Sequence, residues 1–268
     1  MSFQPVIPMS GLAGWAFLQR TQAAQMETHA RVPERVRDID HFRARIADIG
    51  TAEDLVADRR LRQVMLGAFG LQDDIDNVAF IRRILEDGPE RPDGLARRLS
   101  DSRYLAMAES FRLPPDTPRP FADPAFADRI VQAFQTRSFE VAVGDQDQSM
   151  RLAMTLAREL PEIIAAAGSD ASAWFRVLGN PPLRKVFETA FGFGSGFGAL
   201  DIDQQLSQVR RRAQSVFGSA ELAQFTDPES RKALTQRFLL MDQISAFAAD
   251  TSAASTALTL LQSMPTRR

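Results

Sequence analysis

The sequence predicts an all-α, multihelical protein of two pseudo-repeated helical halves joined by a Pro-rich linker. Three observations carry this. Apolar residues recur at helical spacing almost throughout, Asp or Asn caps and glycine stops bracket those segments, and one block of residues returns later with its flanking pieces in the same order. At 268 residues, 44% hydrophobic and 25% charged, the chain is long enough to bury a substantial core.

The first 19 residues, MSFQPVIPMSGLAGWAFLQ, carry no charged side chain. They also lack a basic start, Pro5 and Pro8 interrupt them, and the apolar stretch from Leu12 to Leu18 is short, so an uncleaved N-terminus is expected. Thr51 opens a short capped helix, TAEDLV, and Ser169 opens another, SDASAWFRVL. A longer pattern occurs five times: an Asp or Asn cap, then an apolar helix whose Phe falls ten or eleven positions on. Its copies are Asp58–Phe69, Asp101–Phe111, Asp123–Phe134, Asn180–Phe191 and Asp227–Phe238. The first residue caps free N–H groups, Pro is tolerated just inside, and the terminal Phe is expected to anchor the last turn in the core. From Asp123 the stripe Phe126, Ile130, Phe134 and Val141 leads to Gly144, which suits a left-handed stop. FEVAV (139–143) alternates like a strand, but no partner strand is evident, so it reads as the helix end.

Residues 61–71, LRQVMLGAFGL, and 183–193, LRKVFETAFGF, share six of eleven positions. Each AFG is followed by Asp-Ile-Asp (74–76 and 201–203), which is expected to open a helix ending at Gly88 or Gly218. Four matching pieces in one order suggest an internal duplication. Pro114, Pro115, Pro118 and Pro120 fall within seven residues, which excludes helix there and marks the boundary. The expected organisation is a first half at 1–113, a linker at 114–122, a second half at 123–250 and a flexible tail at 251–268.

Composition removes much chemistry. With no cysteine there is no disulfide, thiol catalysis, iron–sulfur cluster or thiolate zinc site. A formal net charge of -2 takes away the basic face that phosphate backbones need. Arginine far outnumbers lysine (Lys185 and Lys232), a bias that GC-rich codons explain, and the 19 Phe lack a polar handle and suit cores. No apolar run is long enough to span a bilayer.

Specific motifs fail in turn. The loop Gly-Phe-Gly-Ser-Gly-Phe-Gly (192–198) has Phe197 where a dinucleotide fingerprint needs its third glycine, and it reads as a helix stop where the chain crosses a neighbouring backbone. Asp145, Asp147 and Ser149 begin like a calcium loop, yet Met150 and Leu156 stand where Gly and Glu are required. Asp73, Asp74 and Asp76 suit capping and the helix dipole. His29 and His41 lie on separate helices and read as solvated or locally bonded, so no metal is expected. Arg210, Arg211 and Arg212 read as a solvated helix face.

The segments FLQRTQAAQ (17–25), TAEDLVADRRLRQVMLGAFGLQDDIDN (51–77), LSDSRYLAMAESF (99–111), RSFEVAVGDQDQSMRLAM (137–154) and NPPLRKVFETAFGF (180–193) resemble a bacterial domain-of-unknown-function family. That resemblance implies an all-helical fold and genes often placed among flagellar ones; it carries no catalytic residues over. Phe111-Arg112-Leu113 departs from the family's aromatic-glycine theme. The expected function is a non-enzymatic structural or adaptor protein, linked to flagellar assembly or motility through protein–protein contacts and using no cofactor. Its expected partner is a protein, with a flagellar component the one implied; no nucleic acid and no membrane insertion are expected. Location is expected to be cytoplasmic, or the flagellum after export. The alternatives are an enzyme with an Asp/Glu/Arg-only site and a regulatory nucleic-acid binder. For an adaptor, the contact residues are expected on the two terminal helices, at Trp15, Phe17, Phe247, Leu258 and Leu261.

Overall fold

Capped amphipathic segments fold here as helices. The computed structural model describes residues 3–113, 121, 123–194 and 196–263, with side chains as far as Ala248. Among the described residues there are thirteen α-helices and no strand. The expected Pro-rich linker, 114–120 and 122, lies outside them.

The chain falls into two compact units. Unit 1 takes Met1–Pro8, Ala16–Arg151 and Gly179–Pro181; unit 2 takes Met9–Trp15, Leu152–Leu178 and Pro182–Arg268. Unit 1 holds most of α1 (Gly11–Ala30), then α2 (Pro33–Arg45), α3 (Ala52–Ala57), α4 (Arg59–Phe69) and α5 (Val78–Asp87). It continues through α6 (Leu95–Arg98), α7 (Ser102–Phe111), α8 (Pro124–Gly144) and the start of α9 (Gln148–Ala166). Unit 2 holds the rest of α9, then α10 (Asp170–Leu178), α11 (Pro181–Phe191) from its second residue, α12 (Ile202–Phe217) and α13 (Pro228–Ser263). Both histidines fall in unit 1 and both lysines in unit 2.

Unit 1 is centred on α4, which packs against α2 and α8. Phe42, Leu61, Val64, Met65, Ile84 and Phe111 are buried together there. Each such side chain contributes about 1.5–3 kcal/mol relative to exposure. In unit 2 an aromatic chain runs through the core. Trp174 meets Phe187 edge-on at 5.2 Å, Phe187 meets Phe225 at 5.9 Å, and Phe225 meets Phe217 at 5.2 Å. The Trp174 indole N–H is not left bare, since it donates to the Ala220 carbonyl at 3.1 Å.

Caps form where the side chains allow them. Thr51 makes a full capping box with Asp54, and Asp58, Asp101, Asp123 and Asp201 each accept from N–H groups of the helix that follows. Such a cap is worth about 1 kcal/mol. Asp145–Ser149 works the same way, with Asp147 accepting from the N–H groups of Ser149 and Met150. Gly70, Gly192 and Gly218 take the left-handed conformation that ends their helices.

Elsewhere the structure corrects the sequence reading. Gly144 is not left-handed; α8 runs into a right-handed turn at Asp145. Phe134 and Phe238 are buried but sit mid-helix, because α8 and α13 continue beyond them. Asp74-Ile75-Asp76 does not open α5, which starts after Asn77, whereas Asp201 does cap α12. FEVAV (139–143) is helical, in agreement with its reading as a helix end. No backbone crosses Gly194 or Gly196, where a methyl group would meet open space; instead Phe193 and Phe197 stack face to face at 4.4 Å. Helix α13 itself runs from Pro228 to Ser263.

Candidate functional site

Three helix faces of unit 1 leave a polar pocket between them. Glu34, Arg35 and Asp38 come from α2, Gln63 and Gly67 from α4, and Phe134, Ser138 and Val141 from α8, with Gln72 just beyond α4. The α8 residues follow the spacing i, i+4, i+7, which aligns them on one face. Gly67 is needed for the approach of α4 to α8, because a methyl group there would lie 2.7 Å from the Phe134 ring. The resulting cavity has a volume of about 220 Å³.

Its polar side chains are unusual in what they do not touch. Glu34, Arg35, Gln63 and Gln72 make no side-chain hydrogen bond or ion pair among the described residues, and Gln72 Oε1 is buried without a partner. Other arginines are engaged: Arg62, Arg103, Arg212, Arg231 and Arg237 all reach backbone carbonyls. Burial holds the Arg35 guanidinium below its usual range, against the opposing pull of Glu34 and Asp38. Asp38 is only 5% exposed, and its one ion-pair contact is Arg60 Nε at 3.6 Å. Burial therefore raises its carboxyl above the usual range, with Arg60 pulling the other way.

Behind Ser138 sits His29. Its ring is 1% exposed, edge-on to Phe3 at 5.8 Å and to Phe139 at 5.5 Å, and its Nδ1 has no partner. Burial, assisted by Arg35, brings its pKa down to about 4. Ser138 Oγ lies 3.3 Å from His29 Nε2 and donates to the Gln135 carbonyl at 3.1 Å. That places a hydroxyl next to an imidazole, but the serine proton is spent on its own helix and the imidazole is a weak base. Packing accounts for the pair better than nucleophilic catalysis does. His41 is different: half-buried, it lies 2.6 Å from Asp58. Burial alone would raise Asp58, but the bonds from His41 and from the N–H groups of Leu61 and Arg60 hold it below the usual carboxylate range. Among the described residues, no three His, Asp or Glu side chains gather as a metal-binding set.

Unit 2 offers a surface instead. Leu240, Ile244 and Phe247 stand 48%, 53% and 72% exposed at i, i+4 and i+7 on α13. The start of α1 lies against the same stretch, since a methyl group on Gly11 would meet the Gln243 amide, and its neighbours Met9 and Leu12 are exposed as well. Of the predicted contact residues, Phe247 is on this row, Trp15 is buried at 8% exposed, and Phe17 is half-buried. The side chains of Leu258 and Leu261 lie outside the described residues. The basic run Arg210–Arg212 is partly tied down, Arg210 to Asp170 at 3.2 Å and Arg212 to the Phe191 carbonyl at 2.8 Å. No described helix is long and apolar enough to cross a membrane.

Sequence reading missed the α2 pocket residues because Glu34, Arg35 and Asp38 look like a solvated helix face. The one available signal was Gly67, a glycine inside a strong helix, which marks a close approach.

The model of a family described as protein of unknown function, DUF1217, matches residues 68–230. No curated protein matches the chain. A structural-genomics crystal structure of a protein from Agrobacterium tumefaciens has the same fold, with a TM-score of 0.71 and 24% identity over 91% of this chain and 99% of that one.

Proposed function

Since the chain belongs to the DUF1217 family, whose function is unknown, no chemistry is inherited, and we propose that it works as a non-catalytic helical adaptor through protein–protein contacts. The single observation behind this reading is the row Leu240, Ile244 and Phe247 on α13. Three large apolar side chains at one-turn spacing form the kind of stripe that pairs with an amphipathic helix of a partner. Their exposed portions forgo part of the roughly 1.5–3 kcal/mol that full burial of such a side chain contributes. The partner we propose is a flagellar component, following the gene setting of the family that the sequence resembles.

The test is affinity capture from motile cells, with the native chain and the double variant Ile244→Asp, Phe247→Asp side by side. The adaptor reading expects a flagellar protein to co-purify with the native chain and to be lost with the variant, whose circular dichroism stays helical. It also expects a clean deletion to impair swimming. Normal filaments and normal swimming in the deletion, together with no flagellar protein captured, would overturn it.

A further inference from the structure

The pocket of unit 1 gathers charged groups whose hydrogen bonds the protein leaves unfilled. Arg35 presents a half-buried guanidinium that makes no side-chain hydrogen bond or ion pair among the described residues, with the charges of Glu34 and Asp38 acting on it. Asp38, one turn along the same helix, presents a buried carboxylate with a long contact to Arg60 at 3.6 Å and the charges of Arg37 and His41 acting on it as well. A buried or half-buried charge is stable when an opposite charge and hydrogen bonds complete it. Glu34 adds a second carboxylate on the same face and is also without a partner among the described residues. A simple anion would satisfy Arg35 but be repelled by Glu34 and Asp38; a simple cation would meet the reverse difficulty. The complement is one small molecule carrying both charges.

We propose that this pocket binds a small aliphatic α-amino acid, its carboxylate on Arg35, its ammonium group on Asp38 and Glu34, and its side chain against Phe134 and Val141. The cavity of about 220 Å³ is smaller than the pockets of drug-sized ligands and fits a molecule of this class. Arginine is suited to the carboxylate because its planar fork can bond both oxygens at once. Gln63, which has no side-chain partner, supplies a further amide at the rim. This site is independent of the α13 surface and of the adaptor role.

Isothermal titration calorimetry on the full chain tests it with L-alanine, L-valine and L-leucine as probes. Isovalerate and isobutylamine serve as valine lacking its ammonium and its carboxylate. At least one amino acid is expected to bind, with the two single-charge analogues weaker than valine by about tenfold or more. Arg35→Gln and Asp38→Asn are each expected to weaken binding by about tenfold or more, and Arg211→Gln in unit 2 to leave it unchanged. Should Asp38→Asn fail to fold by circular dichroism, Arg35→Gln decides, since its side chain holds no structural bond. The assignment is overturned if none of the three amino acids binds, if isovalerate binds as well as valine, or if Arg35→Gln binds like the native chain.

Discussion

Helices α4 and α11 carry nearly the same letters yet occupy different surroundings. Their ends agree closely. Gly70 and Gly192 sit at φ 71° and 70°, and in each case the following residue donates back across the turn, Leu71 to the Leu66 carbonyl and Phe193 to the Glu188 carbonyl, both at 2.9 Å. Their faces disagree. Arg62 is buried and donates to the carbonyls of Val56 and of Ile75, the latter at 2.7 Å, whereas its counterpart Arg184 is half-buried and pairs with Glu188 at 3.5 Å. Met65 is a buried thioether in the core of unit 1, while its counterpart Phe187 is a ring set between Trp174 and Phe225. A helix end is set by a handful of adjacent residues, so equal letters give equal turns. What a face touches is decided by helices far away in sequence.

The sharpest way to break this comparison is at the arginines. Arg62→Ala leaves two buried carbonyls without donors and is expected to cost about 3–4 kcal/mol, while Arg184→Ala removes a semi-exposed pair worth less than about 1 kcal/mol. Urea denaturation of both variants checks this, and equal losses would show that the faces do not differ energetically.

A second contrast, between the two histidines, sharpens the role of burial. His29 is neutral in the folded chain down to about pH 4, but would titrate near 6.5 unfolded. The unfolded state then binds more protons between those values, so stability is unaffected above pH 6.5 and falls as pH drops toward 4. At about 1.4 kcal/mol per pKa unit, the full loss is about 3 kcal/mol. Measuring unfolding free energy from pH 7 to 4 in the native chain and in His29→Leu checks this; the variant should lack that part of the decline. The smallest effect belongs to a third helix end. Arg112 closes α7 at φ 39°, the position glycine holds in α4 and α11, so Arg112→Gly is expected to raise stability by about 1 kcal/mol in thermal melts.

What was legible in the sequence follows the same division. Thr51, Asp58, Asp123 and Asp201 announce their caps, and Gly70, Gly192 and Gly218 their stops, because each acts on neighbours within about one turn. The departure at Arg112 was visible too, and it falls on a strained turn. Gly144 shows the limit, since a glycine permits a left-handed stop without requiring one. The pocket was not legible: its walls, α2 and α8, lie about a hundred residues apart, and nothing in Glu34-Arg35-Val36-Arg37-Asp38 distinguishes a charge facing water from one facing a cavity. Trp15 illustrates the converse, an aromatic residue in the first helix that is buried. Phe247, at the far end of the chain, is 72% exposed.

The placement of the basic residues has an electrical consequence. Histidine is the side chain that ordinarily changes charge between pH 5 and 8, both histidines belong to unit 1, and burial takes His29 out of that range, down to about 4. Across that interval its imidazole adds no positive charge behind the pocket wall at Ser138.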